Sequence, residues 1–306
     1  MQCKFYKFCL LILIIPAILV AGCKSDKGKR SPGLLDDSEA EEIVDRIETI
    51  KQVYHLSPSP AEMLSVIDVA DLSFDVGLLN PPGNMDNYLD TKSQTISLGI
   101  YITDLAYAAL FGRHEETLDY LDVVRTMAEQ IRVTGAIDDE LMEKARNNVE
   151  YLDSLFNISN EAFINMLFFC ERNNRPNTVI MLSAGAFIES LFLAVNLAGD
   201  NGHADYILQH LADQKYALDN LMMFAESMKV LDPNVAAVIE DLKPIKEIYD
   251  DITVVAGTTT VESEKAAENQ PKKLVIGGGS KPTLSKKEFE NLKETTVELR
   301  NKLVNN

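Results

Sequence analysis

The sequence predicts an all-α protein: a duplicated, repeat-like multi-helix bundle, followed by a small β-ribbon or linker and a C-terminal helix. Three observations lead to this prediction. Apolar residues make up 46% of the 306 residues, and few Gly and Pro with no Trp suit long helices better than a sandwich or barrel. Helix-capping patterns recur along the chain. One helical stretch occurs twice, beginning at residues 97 and 183.

Residues 1–22 are predicted to be a lipoprotein signal peptide. Two lysines precede an apolar run, 8–20, that is too short to span a bilayer comfortably. The run ends in Leu19-Val20-Ala21-Gly22-Cys23, which resembles the lipobox of bacterial lipoproteins. The resemblance implies diacylglyceryl transfer to the Cys23 thiol and cleavage between Gly22 and Cys23. The alternative is an ordinary secretory signal in which the cysteine is incidental.

The polar residues 23–37 are predicted to form a flexible tether behind this anchor. Acyl chains on Cys23 would bury enough methylene groups for stable membrane attachment. Cys3 and Cys9 would leave with the signal peptide, so Cys170 would have no partner for an internal disulfide. Its apolar neighbours in the sequence indicate a small buried hydrophobic residue rather than a nucleophile.

A helical domain is predicted over residues 38–251, in two similar halves of about 58–154 and 155–251. Capping residues, proline positions and helical periodicity indicate its helices. These helices start at Ser38 and at Ser59, cover 85–111 and 114–133, start at Asp138 and at Asn157, and cover 176–199, 204–229 and 233–251.

The repeat pairs the helix around Gly99 with the helix around Gly185. The positions identical at this offset are Ser97 and Ser183, Gly99 and Gly185, Ile102 and Ile188, and Leu105 and Leu191. Glycine costs helix stability relative to alanine, so we expect the two glycines to permit close approach where the helices cross. The alternative is a pair of unrelated buried helices. The second helix, 179–198, is apolar almost all round, and Glu189 at its centre favours a buried core helix over a membrane span.

Residues 252–306 are predicted to be a strand-containing linker and a C-terminal amphipathic helix. Thr253-Val254-Val255 and Lys273-Leu274-Val275-Ile276 favour strands, which would form a two-stranded ribbon if it packs on the helices. Ser285-Lys286-Lys287-Glu288 is a capping box, and apolar residues follow it at helical spacing.

The candidate pocket consists of Tyr101, Asp104, Tyr107 and Glu189. The first three lie at i, i+3 and i+6 of one helix, broadly on one side. Each repeat helix carries an acid beside a hydroxyl residue, and a two-fold relation between the halves would turn both acids towards a common interior. A buried carboxylate is costly unless paired, and a raised pKa beside aromatic rings marks a site. In the simpler interpretation, the acids bind tyrosine hydroxyls and helix termini and hold the packing register.

No residue pattern indicates catalysis, a cofactor or a metal. His203 and His210 lie two helical turns apart, too far for both to bind one ion, and Gly277-Gly278-Gly279 lacks the spacing of a phosphate loop. A net charge of −18 argues against binding to nucleic acid and against electrostatic adhesion to an anionic bilayer. We therefore expect a protein that is not an enzyme and has no metal, cofactor or nucleic-acid partner.

Four segments resemble an uncharacterised family of all-helical lipoproteins from Bacteroidota. They are 57–62, 98–107, 134–136 and 182–191, and they occur in the family's order across most of the helical region. The resemblance implies an all-helical envelope domain and implies no activity. In such lipoproteins, acidic residues directly after the cysteine favour surface display. Lys24-Ser25-Asp26-Lys27 lacks that pattern, so we expect the periplasmic face of the outer membrane.

These observations predict a lipid-anchored envelope lipoprotein with a non-catalytic helical domain that binds an envelope protein or supports an assembly. The alternative is a carrier that binds a small molecule in a polar pocket between the repeats. The carrier requires Tyr101, Asp104, Tyr107 and Glu189 to line a cavity.

Overall fold

Helices form nearly all of the regular structure, which confirms the all-α prediction. The computed structural model describes residues 60, 64, 72–133, 137, 139–147, 152–198, 204–256, 260–263, 274–277 and 280–305, all within the unit Ile43–Asn306. The α-helices are α1 (Thr91–Leu110), α2 (His114–Gln130), α3 (Asp139–Asn147), α4 (Leu152–Arg172), α5 (Pro176–Leu197), α6 (Ala204–Met228), α7 (Pro233–Asp251) and α8 (Lys286–Val304). The predicted signal peptide, Cys23, the tether and the capping box at Ser38 lie outside the described residues.

Helices α1 and α5 cross at Gly99 and Gly185, as the repeat predicts. An ideal Cβ on Gly99 would lie 2.1 Å from the carbonyl oxygen of Leu182, and one on Gly185 would lie 2.0 Å from the carbonyl oxygen of Ile96. The two contacts are equivalent in the repeat. Residue 96 corresponds to residue 182 and residue 99 to residue 185, so each glycine contacts the residue that lies three positions before the other glycine. The crossing is therefore symmetric, and only a residue without a Cβ lets the backbones approach this closely.

Helix α5 is long and apolar enough to cross a membrane, but it lies inside the protein. Its most apolar window has a mean hydropathy of 2.0 and is completely buried. It packs against α1, α4, α6, α7 and α8. This is the burial expected of a core helix that contacts neighbours on all sides.

Two helices begin at residues other than those predicted. Helix α1 begins at Thr91 rather than near Met85, because the Asp90 side chain accepts hydrogen bonds from the first backbone N–H groups of the helix. Residues Pro82–Asn87 form a separate 3-10 helix. Helix α4 begins at Leu152 rather than near Asn157, so the boundary predicted between the two halves falls inside this helix.

The strands form two short ribbons rather than the single predicted ribbon. Thr253–Val255 (β1) pairs with Lys281–Thr283 (β4), and Thr260–Ser263 (β2) pairs with Leu274–Gly277 (β3), both antiparallel. The predicted strands 253–255 and 273–276 therefore do not pair with each other. Ladder hydrogen bonds are made by backbone groups, so a strand such as Lys-Pro-Thr can pair without a β-type sequence pattern.

The C-terminal helix belongs to the same core as the other helices. The capping box of Ser285 and Glu288 forms as predicted. Phe289, Leu292 and Leu303 on α8 are buried in the common hydrophobic core, and α8 packs against α5 and α7. This packing carries a charged residue of α8, Arg300, into the centre of the bundle.

Candidate functional site

The structure brings Asp104 and Glu189 together at the centre of the helical bundle. Asp104 follows Gly99 by five residues on α1, and Glu189 follows Gly185 by four residues on α5. Both side chains have no solvent exposure. The acid pair therefore lies about one helical turn beyond the crossing of the two helices.

Arg300 from α8 binds Glu189 through two parallel hydrogen bonds. Its Nε lies 3.0 Å from Glu189 Oε2, and its Nη2 lies 3.1 Å from Oε1. Nη2 also donates to the carbonyl oxygen of Leu78 at 3.0 Å, and the guanidinium lies over the Phe192 ring at 4.5 Å. A buried ion pair is better tolerated when its geometry is bidentate and further hydrogen bonds support it, as the bond to Leu78 does here.

Asp104 has different partners from Glu189. Its Oδ2 accepts a hydrogen bond from the backbone N–H of Asn80 at 3.1 Å, whereas no donor faces its Oδ1 among the described residues. The charge of Glu189 nevertheless acts on Asp104, since it raises the pKa of the Asp104 carboxyl group. Two carboxylates buried close together repel each other, which favours the protonation of one of them.

The two acids therefore differ in how readily they take up a proton. Burial raises the pKa of Asp104 well above its ordinary range, the charge of Glu189 raises it further, and Arg300 opposes both effects. Burial also raises the pKa of Glu189, but Arg300 lowers it through charge and hydrogen bonds. Because Arg300 bonds Glu189 directly, Asp104 is the acid that takes up a proton more readily, and a protonated Asp104 would leave a neutral cluster.

Tyrosine hydroxyls bind the backbone of the irregular segment before α1. Tyr101 donates to the carbonyl oxygen of Pro81 at 2.9 Å, and Tyr120 from α2 donates to that of Asn80 at 2.9 Å. The Tyr107 hydroxyl accepts from the backbone N–H of Asp75 at 3.2 Å. Residues 75–81 contain a single 3-10 turn, Val76–Leu78, and buried side chains satisfy backbone polar groups on both sides of it.

A second branch of this network reaches the C-terminal end of α8. Asn84 donates to Asn80 Oδ1 at 2.8 Å, and Asn80 Nδ2 donates to the Tyr88 hydroxyl at 3.0 Å. The Tyr88 hydroxyl in turn donates to the carbonyl oxygen of Val304 at 3.2 Å. The irregular segment therefore connects α1 and α2 to the last residue of α8.

The predicted pocket residues form a packed polar cluster rather than the wall of a cavity. Tyr101, Asp104, Tyr107 and Glu189 are all fully buried. Neither of the two described cavities includes any of them: one of about 540 Å³ lies between α7 and the start of α8, and one of about 350 Å³ lies beside the start of α1. None of the four residues therefore lines a cavity that the structure describes.

Sequence reasoning missed Arg300, Asn80 and Tyr88. Arg300 gave a usable signal, because it lies among the buried positions of an amphipathic helix, next to Leu299 and one turn before Leu303. A charge on the apolar face of a helix indicates a buried partner of opposite sign. Asn80 and Tyr88 lie in an irregular segment, where no periodicity marks them.

Two further expectations about reactive groups concern Cys170 and metal ions. Cys170 is buried with a free thiol, and burial raises its pKa to about 11, so the unreactive thiol form prevails at neutral pH. Across the part of the chain that the structure describes, no group of three or more His, Cys, Asp or Glu side chains is placed to hold a metal ion.

No protein-family model, curated protein or solved structure matches this chain. The function is therefore argued from the residues. The cluster joins α1, α5, α8 and the irregular segment 75–81 through charge-assisted and hydroxyl hydrogen bonds. Such a buried network is suited to holding helices in register.

Proposed function

We propose that this protein is a lipid-anchored lipoprotein of the cell envelope, attached through Cys23 and facing the periplasm from the outer membrane. The residues 19–23 carry the proposal, because small residues directly precede a cysteine behind a basic and then apolar leader. Two or three acyl chains on one residue would make the attachment stable. The resemblance of four segments to helical lipoproteins of Bacteroidota supports the same assignment.

The helical domain serves as a non-catalytic domain that binds a protein partner or supports an envelope assembly. This part of the proposal is supported by the partners of the buried polar groups, which lie inside the domain. Arg300 and Glu189 bind each other, and Tyr101 and Tyr120 bind main-chain carbonyl oxygens. Polar groups committed in this way specify one packing arrangement and leave the outer surface for interactions.

The anchor is tested by substitution of Cys23→Ser. We expect loss of labelling by a fatty-acid analogue and release of the protein from membranes, because the thiol is the acceptor of the lipid. Cys170→Ser is the matched control and should keep both the label and the membrane attachment. Continued labelling of the Cys23→Ser variant would exclude the anchor, as would removal of the unaltered protein from membranes by salt alone.

A small-molecule carrier remains the second candidate, since the two acids meet between the repeat helices as that function requires. The cluster would have to open to admit a ligand. Native mass spectrometry of the mature protein from its own envelope separates the candidates. A small added mass that is lost on unfolding and in the Asp104→Asn variant would favour the carrier. A stoichiometric protein companion would favour the partner-binding domain.

A further inference from the structure

Three helices end in the same turn, but the residue in the left-handed position differs. After α1, α2 and α4, one N–H bonds the carbonyl oxygen three residues back and the next N–H bonds the carbonyl oxygen five residues back. The left-handed residues are Gly112 (φ 66°), Arg132 (φ 60°) and Asn174 (φ 51°). Glycine and asparagine are usual at this position, whereas arginine is disfavoured by its Cβ. An arginine at such a position suggests that its side chain has a functional role.

Arg132 lies at an end of the bundle where three turns are tied together. Arg175 donates to the carbonyl oxygens of Arg132 and Ile131, both at 2.9 Å, which joins the turn after α2 to the start of α5. Asn177 Nδ2 donates to Asp232 Oδ2 at 2.6 Å, which joins the start of α5 to the turn before α7. We name the surface formed by Arg132, Arg172, Arg175, Val230 and Leu231 the arginine tip.

The arginine tip contains the arginines that lack a carboxylate partner among the described residues. The other described arginines, Arg113, Arg125, Arg146 and Arg300, all form ion pairs. Arg132 and Arg172 are exposed, and Arg175 binds carbonyl oxygens. In a chain with a net charge of −18, three such arginines at one end are a distinct local feature.

The carboxylates next to the arginine tip are mostly engaged elsewhere. Glu129 pairs with Arg125, and Glu226 pairs with Lys229. Asp232 caps α7 by accepting from the backbone N–H of Asn234. Glu171, the residue before Arg172, takes part in none of these contacts, and it is partly buried. The exposed guanidinium groups are therefore available to an external anion.

Two aliphatic side chains project beside these arginines. Val230 is 87% exposed and Leu231 is 60% exposed, both in the turn between α6 and α7. Exposed aliphatic groups beside guanidinium groups without carboxylate partners suit a surface that offers phosphates and hydrocarbon together. A phospholipid bilayer has this combination, because its headgroups lie directly over the acyl chains.

We propose that the arginine tip docks on an anionic phospholipid surface. This inference rests on the proposed function, because the acyl anchor would hold the domain close to a bilayer and raise the effective concentration of the tip. The guanidinium groups bind lipid phosphates, and Val230 and Leu231 enter the interface. The acidic remainder of the chain is repelled by the same surface, so docking through the tip also sets the orientation of the domain.

The test uses the acylated protein in vesicles of phosphatidylglycerol and phosphatidylethanolamine, with phosphatidylcholine vesicles for comparison. A fluorophore on Val230→Cys reports contact with the bilayer through quenching by spin-labelled lipid. Val255→Cys is the matched control, since Val255 is 53% exposed and lies beyond the other end of the 19-residue helix α7, about 28 Å away. Cys170 is buried and does not compete for the label.

We expect quenching at position 230 in the anionic vesicles, a decrease in high salt, and little quenching at position 255. Each arginine near the surface contributes about fivefold to the docking equilibrium, so Arg132→Gly with Arg172→Ser should weaken docking by about 25-fold. Lys286→Ser with Lys287→Ser removes the same charge elsewhere and should leave docking unchanged. Equal quenching at both positions, or quenching indifferent to the two arginines, would overturn the proposal.

Two readouts separate this proposal from a change in folding and from failure of the anchor. Arg132→Gly alone should raise the melting temperature, because glycine suits the left-handed position, while it weakens docking. Protein that high salt washes off the vesicles lacks the lipid anchor. Protein that stays on the vesicles without quenching at position 230 keeps the anchor and contradicts docking of the tip.

Discussion

The glycine crossing and the acid cluster lie about one turn apart on the same two helices, yet they are built in opposite ways. At the crossing, Gly99 meets Leu182 and Gly185 meets Ile96, so each helix repeats the contact of the other. At the cluster, the offset of the repeat matches each acid with a hydroxyl residue of the other helix, and Arg300 lies outside both repeats. The crossing is symmetric and the cluster is not.

Thr103 shows why the cluster departs from symmetry. Its hydroxyl donates to the carbonyl oxygen of Gly99 at 3.0 Å, and the carbonyl oxygen of Ala186 lies 3.4 Å away. The backbones of α1 and α5 therefore supply the hydrogen-bond partners of this hydroxyl. Glu189 occupies the matching position on α5, and a buried carboxylate needs a countercharge or a proton. A repeat can thus specify the approach of two backbones, whereas a buried charge requires a partner from another part of the chain.

The largest effect is expected at the crossing, from Gly99→Ala or Gly185→Ala. Either Cβ would lie about 2 Å from a backbone oxygen, and the backbone cannot move away without separating the helices. We expect each substitution to lower the free energy of unfolding by about 4 kcal/mol or more. Gly83→Ala is the matched control, because nothing lies within 4 Å of its added Cβ. Chemical denaturation measures all three, and equal stabilities would refute the tight crossing.

A smaller loss is expected when the cluster loses its cation through Arg300→Met. Glu189 would remain buried without a countercharge, which typically costs about 3 kcal/mol. Lys302→Met removes a charge from the same helix at a side chain that is 60% exposed, and it should cost less than about 1 kcal/mol. The double substitution Arg300→Met with Glu189→Met should be more stable than Arg300→Met alone. A double variant that is no better would argue against the ion pair as the cause.

The smallest effect at neutral pH is expected from Asp104→Asn, which keeps the shape of a protonated Asp. The amide can donate to Glu189 and accept from the backbone of Asn80, so stability should change by less than about 1 kcal/mol. Glu189→Gln is the contrasting variant, because it removes the anion that Arg300 binds, and it should be clearly destabilised.

The pH dependence of the free energy of unfolding sharpens this contrast. The folded-state pKa of Asp104 is raised by burial and by Glu189, so its stabilising contribution is complete below the ordinary carboxyl range and is lost as pH rises through the folded-state value. As pH rises above the ordinary carboxyl range, the unaltered protein should therefore lose stability more steeply than the Asp104→Asn variant. Some carboxylates have a lowered pKa, such as Asp90, which accepts hydrogen bonds from Ser93. These groups change the free energy of unfolding only at lower pH, below the ordinary carboxyl range. Parallel pH profiles would contradict a raised pKa of Asp104 in the folded protein.

The sequence by itself determined the features that depend on near neighbours. Asp232 and Ser285 cap helices by binding N–H groups within three residues, and Pro176 starts a helix through its own fixed backbone angle. The glycine crossing was also predictable, because the repeat displays both partners and a helical glycine is costly without close packing. These signals are local or duplicated, so they can be read directly from the chain.

Only the tertiary structure decided which groups complete the acid cluster. Arg300 binds Glu189 across 111 residues, and Asn80 reaches Asp104 from a segment without periodicity. The sequence shows that two buried acids need partners, but many charges along the chain are candidates. Which charge becomes the partner depends on how α8 packs against α5. Most of the free energy of that packing comes from burial of apolar surface, which is non-directional and which any amphipathic helix can supply. The sequence alone therefore does not single out Arg300.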